Sequence, residues 1–536
     1  MWRIALETHD LDDVVAWPPD LFALVDRPLE ASEAYRFVVS PPPGVSVTPP
    51  DAAAAAATEW LLWLDGDRSS PPPAVTAAWN VVRDAADVCV EDLSTGRAWQ
   101  VIEALIALHA IADEACTGLG TAIMAKPGPG CEFRATAREL LTETGSLARI
   151  SPDVLRVLPR CRPSVGGLSL RSLCHHVFVT GPQVDVEWNR ILTRPSNVLF
   201  PEQHANVLLF PWPLRVRARD FHPVPYTLPH MDPMEVGFFS FEPAEQLDLD
   251  LVEGVLRAAI DEAGTVDIVA FPESAITPPD IDPLEALLSR YGVWSLIAGV
   301  REPADDALGA NWLHIGVRQE LVWRHARQHK HHRWRLDGRQ IGQYHLGGAL
   351  SPDMHWWEAV SVPRRSLQIV DEGAVTISAL LCEDLARLEP VADRVRAIGP
   401  SVVITLLLDG PQLSSRWTAR YASVLADDPG TAVCTLTSYG MVRRCRPPGC
   451  KPSRVIGLWK DTSGQPIEIE LEEGAHAVLI STNVGGGTSV TADGRKHVKP
   501  MSTLTLVAVQ SIRAEPVSEP RRAPEPEATE AAGAPS

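Results

Sequence analysis

The sequence predicts a two-part α/β protein: a layered α/β domain that follows a mainly helical (α+β) N-terminal domain. Three observations predict it. At 536 residues the chain exceeds the roughly 250 to 300 residues at which a single hydrophobic core stops growing. The first 230 or so residues show helical periodicity broken by proline clusters. After Pro233 strand-like and helix-like runs alternate, separated by turn signals, as in a layered α/β domain. We therefore divide the chain into an N-terminal domain, 1–232, a layered domain, 233–510, and a disordered tail, 511–536.

The N-terminal breaks fall at Pro41 to Pro43, Pro49-Pro50 and Pro71 to Pro73. Between them the clearest helix runs from Arg97 to Cys116, with Val101, Leu105, Leu108 and Ala112 at helical spacing and Gly118 placed as a C-terminal cap. Further helices are expected at 58–64, 75–90 and 135–144. From Asp153 to about Pro229 short mixed runs such as LSLRSLCHHVFV and ANVLLFPWPLRV read as strands, ending the N-terminal domain or wrapping as a connector. No repeat period is visible, which argues against a solenoid.

In the second half Met234 to Phe241 alternates like a strand, Asp250 to Ala263 is an amphipathic helix, and Val266 to Phe271 is a buried-strand run. Later strands are expected at 294–300, 375–381, 402–408, 432–437, 455–459 and 477–480. Gly485 to Gly487 reads as a loop after the last of them, without the context of a phosphate-binding loop. The final residues, rich in Pro, Glu and Ala, offer almost nothing to bury and are expected to be disordered.

Composition narrows the function classes. Hydrophobic residues at 45% and charged residues at 22% are ordinary for a globular protein. A formal net charge of -20 opposes chain-wide attraction to nucleic acid or anionic membrane, so neither is an expected partner. Nine cysteines stand singly with no CxxC pair, the usage of a reducing compartment. The opening MWRIALETHDLDDVV carries acidic residues where a secretion signal needs an apolar run, and no window approaches the ~20 apolar residues of a membrane span. A cytoplasmic location is expected.

Three segments of the second half each end a strand-like run on a reactive side chain: VDIVAFPESAI on Glu273, RQHKHHRW on Lys330 and VTISALLCEDLA on Cys382. Lys330 is the only lysine between 126 and 451. In order and local context these segments resemble the three signature elements of the carbon-nitrogen hydrolase (nitrilase) superfamily, over about residues 234 to 485. The flanks SVVITLLLDG with Trp417 and Arg420, DDPGTAVCTLTSYGM, and VIGLWKDTSGQPIEIEL are similar to later elements of that family, and the Cys-Glu-Asp triplet is like its glutamine-amidase branch. The resemblance implies a four-layer αββα sandwich, a homodimer or higher oligomer, and no cofactor or metal.

Chemistry gives each residue a role. A thiol ending a strand ahead of an expected helix at Glu383 to Arg387, beside an ammonium, is favoured as thiolate and suits Cys382 to nucleophilic attack. Glu273 is placed to take the thiol proton, pass it to the leaving amine and later activate water. Lys330 and the backbone N–H of Glu383 supply fixed positive charge to the tetrahedral intermediate. Many members of the family place a second glutamate between the lysine and the cysteine; Glu358 matches best and Glu372 less well. The interval is long, implying an insert around RLDGRQIGQYHLGGALSPDMHWW that sits over the pocket.

The same interval is basic, with Arg324, Arg327, Arg333, Arg335 and Arg339 among His325, His329, His331 and His332. The three at His329, His331 and His332 are too crowded for an obvious metal site, so we expect a pocket attracting an anionic group, helped by Arg443, Arg444 and Arg446, or else a solvated loop. Arg333 and Trp417 join Glu383 as expected substrate-binding residues. His175-His176 reads as part of a packed strand. The implied reaction is hydrolysis of an amide-type C–N bond in a small amide or nitrile through an acyl-enzyme. Acyl transfer by the same triad, or a catalytically silent binding or regulatory module of bacterial defence type, are the alternatives.

Overall fold

The computed structural model describes residues 14–43, 47–85, 87–120, 128–164, 166–190, 204–303, 308–372, 375–445 and 452–514. The chain is mixed α/β. Its N-terminal part is a set of helices, Pro18–Ser32, Pro50–Leu64, Pro73–Asp84, Val90–Thr95, Trp99–Ala115 and Cys131–Thr144. Three of these begin on proline, whose missing N–H is unneeded in a first turn. The helix expected at 58–64 starts earlier because the alanine run from Ala52 to Ala57 favours helix without carrying an amphipathic period. The helix expected at 75–90 ends at Asp84, and a separate helix begins at Val90. Trp99–Ala115 is the hub: Leu105, Leu108, Ile111, Ala112 and Ala115 are all buried, and four of the other helices pack on it.

Two seven-stranded sheets carry the rest. The first runs in spatial order Val322–His329, Ala310–Gln319, Ser295–Glu302, Ile268–Ile276, His204–Leu209, Ala477–Val490, Lys496–Ile512. The second runs Ile467–Glu470, Val455–Lys460, Ala432–Thr437, Val402–Leu407, Thr376–Leu381, Ser366–Asp371, Asp185–Arg190. Strand alternation sorts their side chains. Val207, Ile268 and Ala270 of the first sheet meet Ile377, Ile404 and Cys434 of the second in one core between the sheets. Leu208, Val269 and Leu296 face outward onto the helices Leu249–Ala263 and Pro278–Arg290.

The outward face of the second sheet, with Ile369, Val403 and Val433, shares one continuous core with Trp417–Asp427 and the N-terminal helices. Two strands drawn into these sheets, 185–190 and 204–209, lie ahead of the 232/233 junction read from the sequence. Their partners are more than 50 residues away, at 366–371 and 268–276, so local periodicity gave no sign of the pairing. A smaller sheet joins Arg335–Leu336, His355–Glu358, Val236–Phe241 and Phe221–Val224, and holds the strand expected at 234–241.

The last hairpin corrects the sequence reading. Gly485, Gly486 and Gly487 are not a loop; they pair with Thr503, Ser502 and Met501 inside the long strand Ala477–Val490. Glycine is a poor strand former and reads as a break, but here its backbone is paired. At the hairpin turn Arg495 reaches Asp113 at 2.9 Å and Glu114 at 3.0 Å on the hub helix. The strand Lys496–Ile512 reaches two residues into the expected tail, and residues 515–536 lie outside the described residues. Among the described residues no helix is long and apolar enough to cross a membrane.

Candidate active site

Glu273 is delivered by an irregularity in its strand. Pairing with Ser295–Glu302 shifts register between Phe271 and Ile276, and Ser274 inside that stretch has φ 55. The neighbouring strand is glycine where the bulge crosses it: a Cβ at Gly299 would lie 2.4 Å from Glu273 Cα. Arg301 holds the bulge by donating to the Ser274 carbonyl at 2.7 Å. The Glu273 carboxylate is fully buried, with Oε1 accepting from Lys330 Nζ at 2.7 Å and Asn311 Nδ2 at 2.9 Å, and Oε2 from the Leu408 backbone N–H at 2.8 Å.

Lys330 follows the strand Val322–His329, and its ammonium also contacts Glu358 Oε2 at 2.5 Å. Glu358, at the end of His355–Glu358, accepts from Asn311 Nδ2 at 2.7 Å and from the Trp334 backbone N–H at 3.1 Å. One asparagine amide thus serves two carboxylates that a single lysine bridges. Burial works against the Lys330 charge, but Glu273 and Glu358 outweigh it and hold its pKa well above the ordinary lysine value. Burial raises the Glu273 pKa, with Glu358 adding to the rise and Lys330 and Asn311 opposing it.

Cys382 stands where Thr376–Leu381 ends, in left-handed backbone at φ 46, and begins a short 3-10 turn, Cys382–Leu385. The helix expected at Glu383 to Arg387 is only this turn. The thiol is not held as thiolate at rest: burial pushes its pKa well above the ordinary cysteine value, and the Glu273 charge adds to this against Lys330. Asp384 ties the thiol turn to the lysine loop, accepting from the His331 backbone N–H at 3.1 Å and facing His332 Nδ1 at 2.9 Å. Two of the crowded histidines are thereby structural.

Cys382 opens onto a cleft of about 430 Å³. Trp334, Tyr344, Trp417 and Tyr421 give it aromatic walls; Gln340 and Gln343 bring in the helix Gly338–Gln343 of the inserted segment. Two ion pairs line it, Arg387 with Glu383 at 2.7 Å and Arg416 with Asp409 at 2.8 Å. Asp409 also accepts from the Gly410 backbone N–H at 2.7 Å, from Trp417 Nε1 at 3.2 Å and from the Tyr344 hydroxyl.

No family model matches the chain, and no curated protein matches it. Solved structures do. An amidase from Nesterenkonia sp. is 14% identical, with 54% of this chain and 94% of that chain covered at a TM-score of 0.32. Saccharomyces cerevisiae Nit3, a member of branch 10 of the nitrilase superfamily, is 14% identical, with 52% and 90% covered at a TM-score of 0.32. About half of this chain is similar to nitrilase-superfamily amidases.

Of the residues read from sequence, Lys330 contacts both Glu273 and Glu358, Cys382 is within electrostatic reach of Glu273 and Lys330, and Glu383 and Trp417 line the cleft. Arg333 does not line it; its Nε donates to the Val360 carbonyl at 2.8 Å and its guanidinium lies over Phe238. Glu372 is at the turn between 366–371 and 376–381, on the inter-sheet core. Nor does the basic run reach the cleft. Arg324 and Arg327 are on an exposed edge strand, Arg443 and Arg444 border a different depression, and Arg446 lies outside the described residues. Asn311, Tyr344, Asp409 and Arg416 were not singled out. Only Asn311 carried a signal, a lone amide inside the apolar run ANWLHIGV.

Proposed function

We propose that this chain is a carbon-nitrogen hydrolase acting on small uncharged amides through Cys382, Glu273 and Lys330, on a four-layer αββα framework that the N-terminal helices extend. The carrying observation is the convergence of Glu273, Lys330, Glu358 and Asn311 beneath a cysteine that opens onto a cleft of small-molecule size. As the sulfur attacks the amide carbon, its proton passes to Glu273 and the carbonyl electrons move onto oxygen. Lys330 and the Glu383 N–H, in a first turn where N–H groups have no intrahelical acceptor, face that oxygen.

Collapse breaks the C–N bond, with Glu273 returning the proton to the leaving nitrogen, and a thioester remains. Water attacks it, Glu273 takes the water proton, and the acid leaves as the thiol is restored. A resting thiol rather than thiolate suits this sequence, since Glu273 needs a proton to hand to the amine. The substrate is uncharged because the cations lining the cleft are each paired with a carboxylate.

Ammonia release over a panel of small amides and nitriles, wild type against Cys382→Ala, tests the proposal. Release confined to the wild type supports it, and equal release from both proteins ends it. The upward-shifted thiol favours a second reading, a silent binding module. Under that reading an amide-like electrophile modifies the exposed Cys89 and Cys131 before Cys382, whereas an active triad reverses the order in intact-protein mass spectrometry.

A further inference from the structure

We propose that Glu285, His314 and His325 bind a divalent transition-metal ion of the zinc type. The three residues come from the helix Pro278–Arg290 and the adjacent strands Ala310–Gln319 and Val322–His329. His314 Nε2 is 2.7 Å from Glu285 Oε1 and His325 Nε2 is 2.9 Å from Glu285 Oε2, and all the ligand atoms lie within 4.8 Å of one another. Zinc bonds imidazole nitrogen at about 2.0 to 2.1 Å and carboxylate oxygen at about 2.0 to 2.2 Å, which in a tetrahedron sets ligand atoms roughly 3.3 Å apart. An opening of a few tenths of an ångström admits the ion.

Three features favour a cation here over a plain hydrogen-bonded cluster. Glu285 is buried, and among the described residues its ion-pair partners are these two histidines alone. The space is also kept open: a Cβ at Gly316, opposite His325, would stand 2.4 Å from Glu285 Oε1 and 2.9 Å from His314 Nε2. His325 is half exposed, giving the ion a way in and leaving water a fourth position.

Among the described residues two other clusters of metal-binding residue types lack these features. Asp26, His109 and Cys174 are all buried, with no exposed member. At Glu114, His175 and His176 the Arg495 guanidinium already sits 3.0 Å from the carboxylate. Histidine ligands on Ala310–Gln319 and Val322–His329 would brace the two strands that lead to Asn311 and Lys330.

The test uses the full chain, stripped with chelator, re-equilibrated with Zn²⁺ and passed over a desalting column, with retained zinc measured by elemental analysis. His325→Gln is at a half-exposed position and keeps the fold, which far-UV circular dichroism verifies. The expected result is one zinc equivalent fewer in His325→Gln and in Glu285→Gln than in wild type, with Zn²⁺ raising the wild-type melting temperature alone. Equal retention by wild type and variants, or no retention by the wild type, overturns the site. Neither readout involves amide hydrolysis, so the outcome is independent of the proposed reaction.

Discussion

Glu273 Oε2 accepts the Leu408 backbone N–H at 2.8 Å, joining a buried carboxylate of one sheet to the end of a strand in the other. The other oxygen is held by Lys330 and Asn311, so the side chain is fixed from both sides. Glu273→Gln preserves volume and can still accept from Leu408, but it takes up no proton. Turnover is expected to fall by about 10²- to 10⁴-fold, the usual contribution of a general base, with KM changing far less. A turnover within tenfold of wild type in steady-state assays would remove Glu273 from the proposed role.

Asn311 separates two buried carboxylates with a single amide. Asn311→Asp withdraws both donated hydrogen bonds and adds a third negative charge in the same buried space. A buried charge without its own partner costs about 3 to 5 kcal/mol, and urea unfolding is expected to show a loss of that order. Asn311→Ala, which leaves the carboxylates short of a donor without adding charge, should lose less, about 1 to 3 kcal/mol. The ranking is the check: if Asp is tolerated as well as Ala, Asn311 is not the shared donor.

Much of this site was legible because its residues follow apolar runs that announce themselves as buried strands. Val266 to Phe271 and Val375 to Leu381 lead into Glu273 and Cys382; in the structure Glu273 lies at the register shift within Ile268–Ile276, and Cys382 directly follows Thr376–Leu381. The cleft walls were not legible in the same way. Tyr344, Asp409 and Arg416 are ordinary surface-type residues along the chain, and only tertiary packing brings them together around one carboxylate. The basic run misled because charge was counted along the sequence, whereas Arg324 and Arg327 are exposed on an edge strand and Lys330, just past that strand's end, is buried. The strands at 185–190 and 204–209 stayed unread for a related reason, since each has its partners in distant parts of the chain.

Under the proposed mechanism the protonation of Glu273 sets the acid limb of the pH profile. Its pKa is raised above 4.5 chiefly by burial, with Glu358 contributing in the same direction. The base must be ionised to accept the thiol proton, so kcat/KM is expected to decline as pH falls through a value above the ordinary glutamate range. Glu358→Gln removes the like charge and leaves Lys330 to Glu273, both of which lower the Glu273 pKa. The acid limb should therefore move to lower pH in that variant. A limb that stays in place or moves upward would show that another group controls it.

Stability should respond to pH through a different cluster, where the hub helix meets the hairpin turn. Asp113 accepts the backbone N–H of His175 at 2.7 Å and that of His176 at 2.9 Å, and pairs with Arg495. Burial drives the His175 pKa down to about 3, against the pull of Asp113. The unfolded chain therefore binds a proton at this histidine below about pH 6.5 while the folded chain refuses it until about pH 3. Its contribution to stability is complete above pH 6.5 and is lost progressively as pH falls across that window. The Asp113 pKa is lowered, Arg495 and the two histidines outweighing burial, so its contribution is lost only below its ordinary value of 3.8. The loss between about pH 6.5 and pH 4 is thus the part that carries the His175 signature. Melting temperatures across that range should fall steeply in the wild type and less steeply in His175→Gln, whatever the two proteins' difference at neutral pH. Parallel slopes would mean that His175 is protonated as readily in the folded protein as in the unfolded chain.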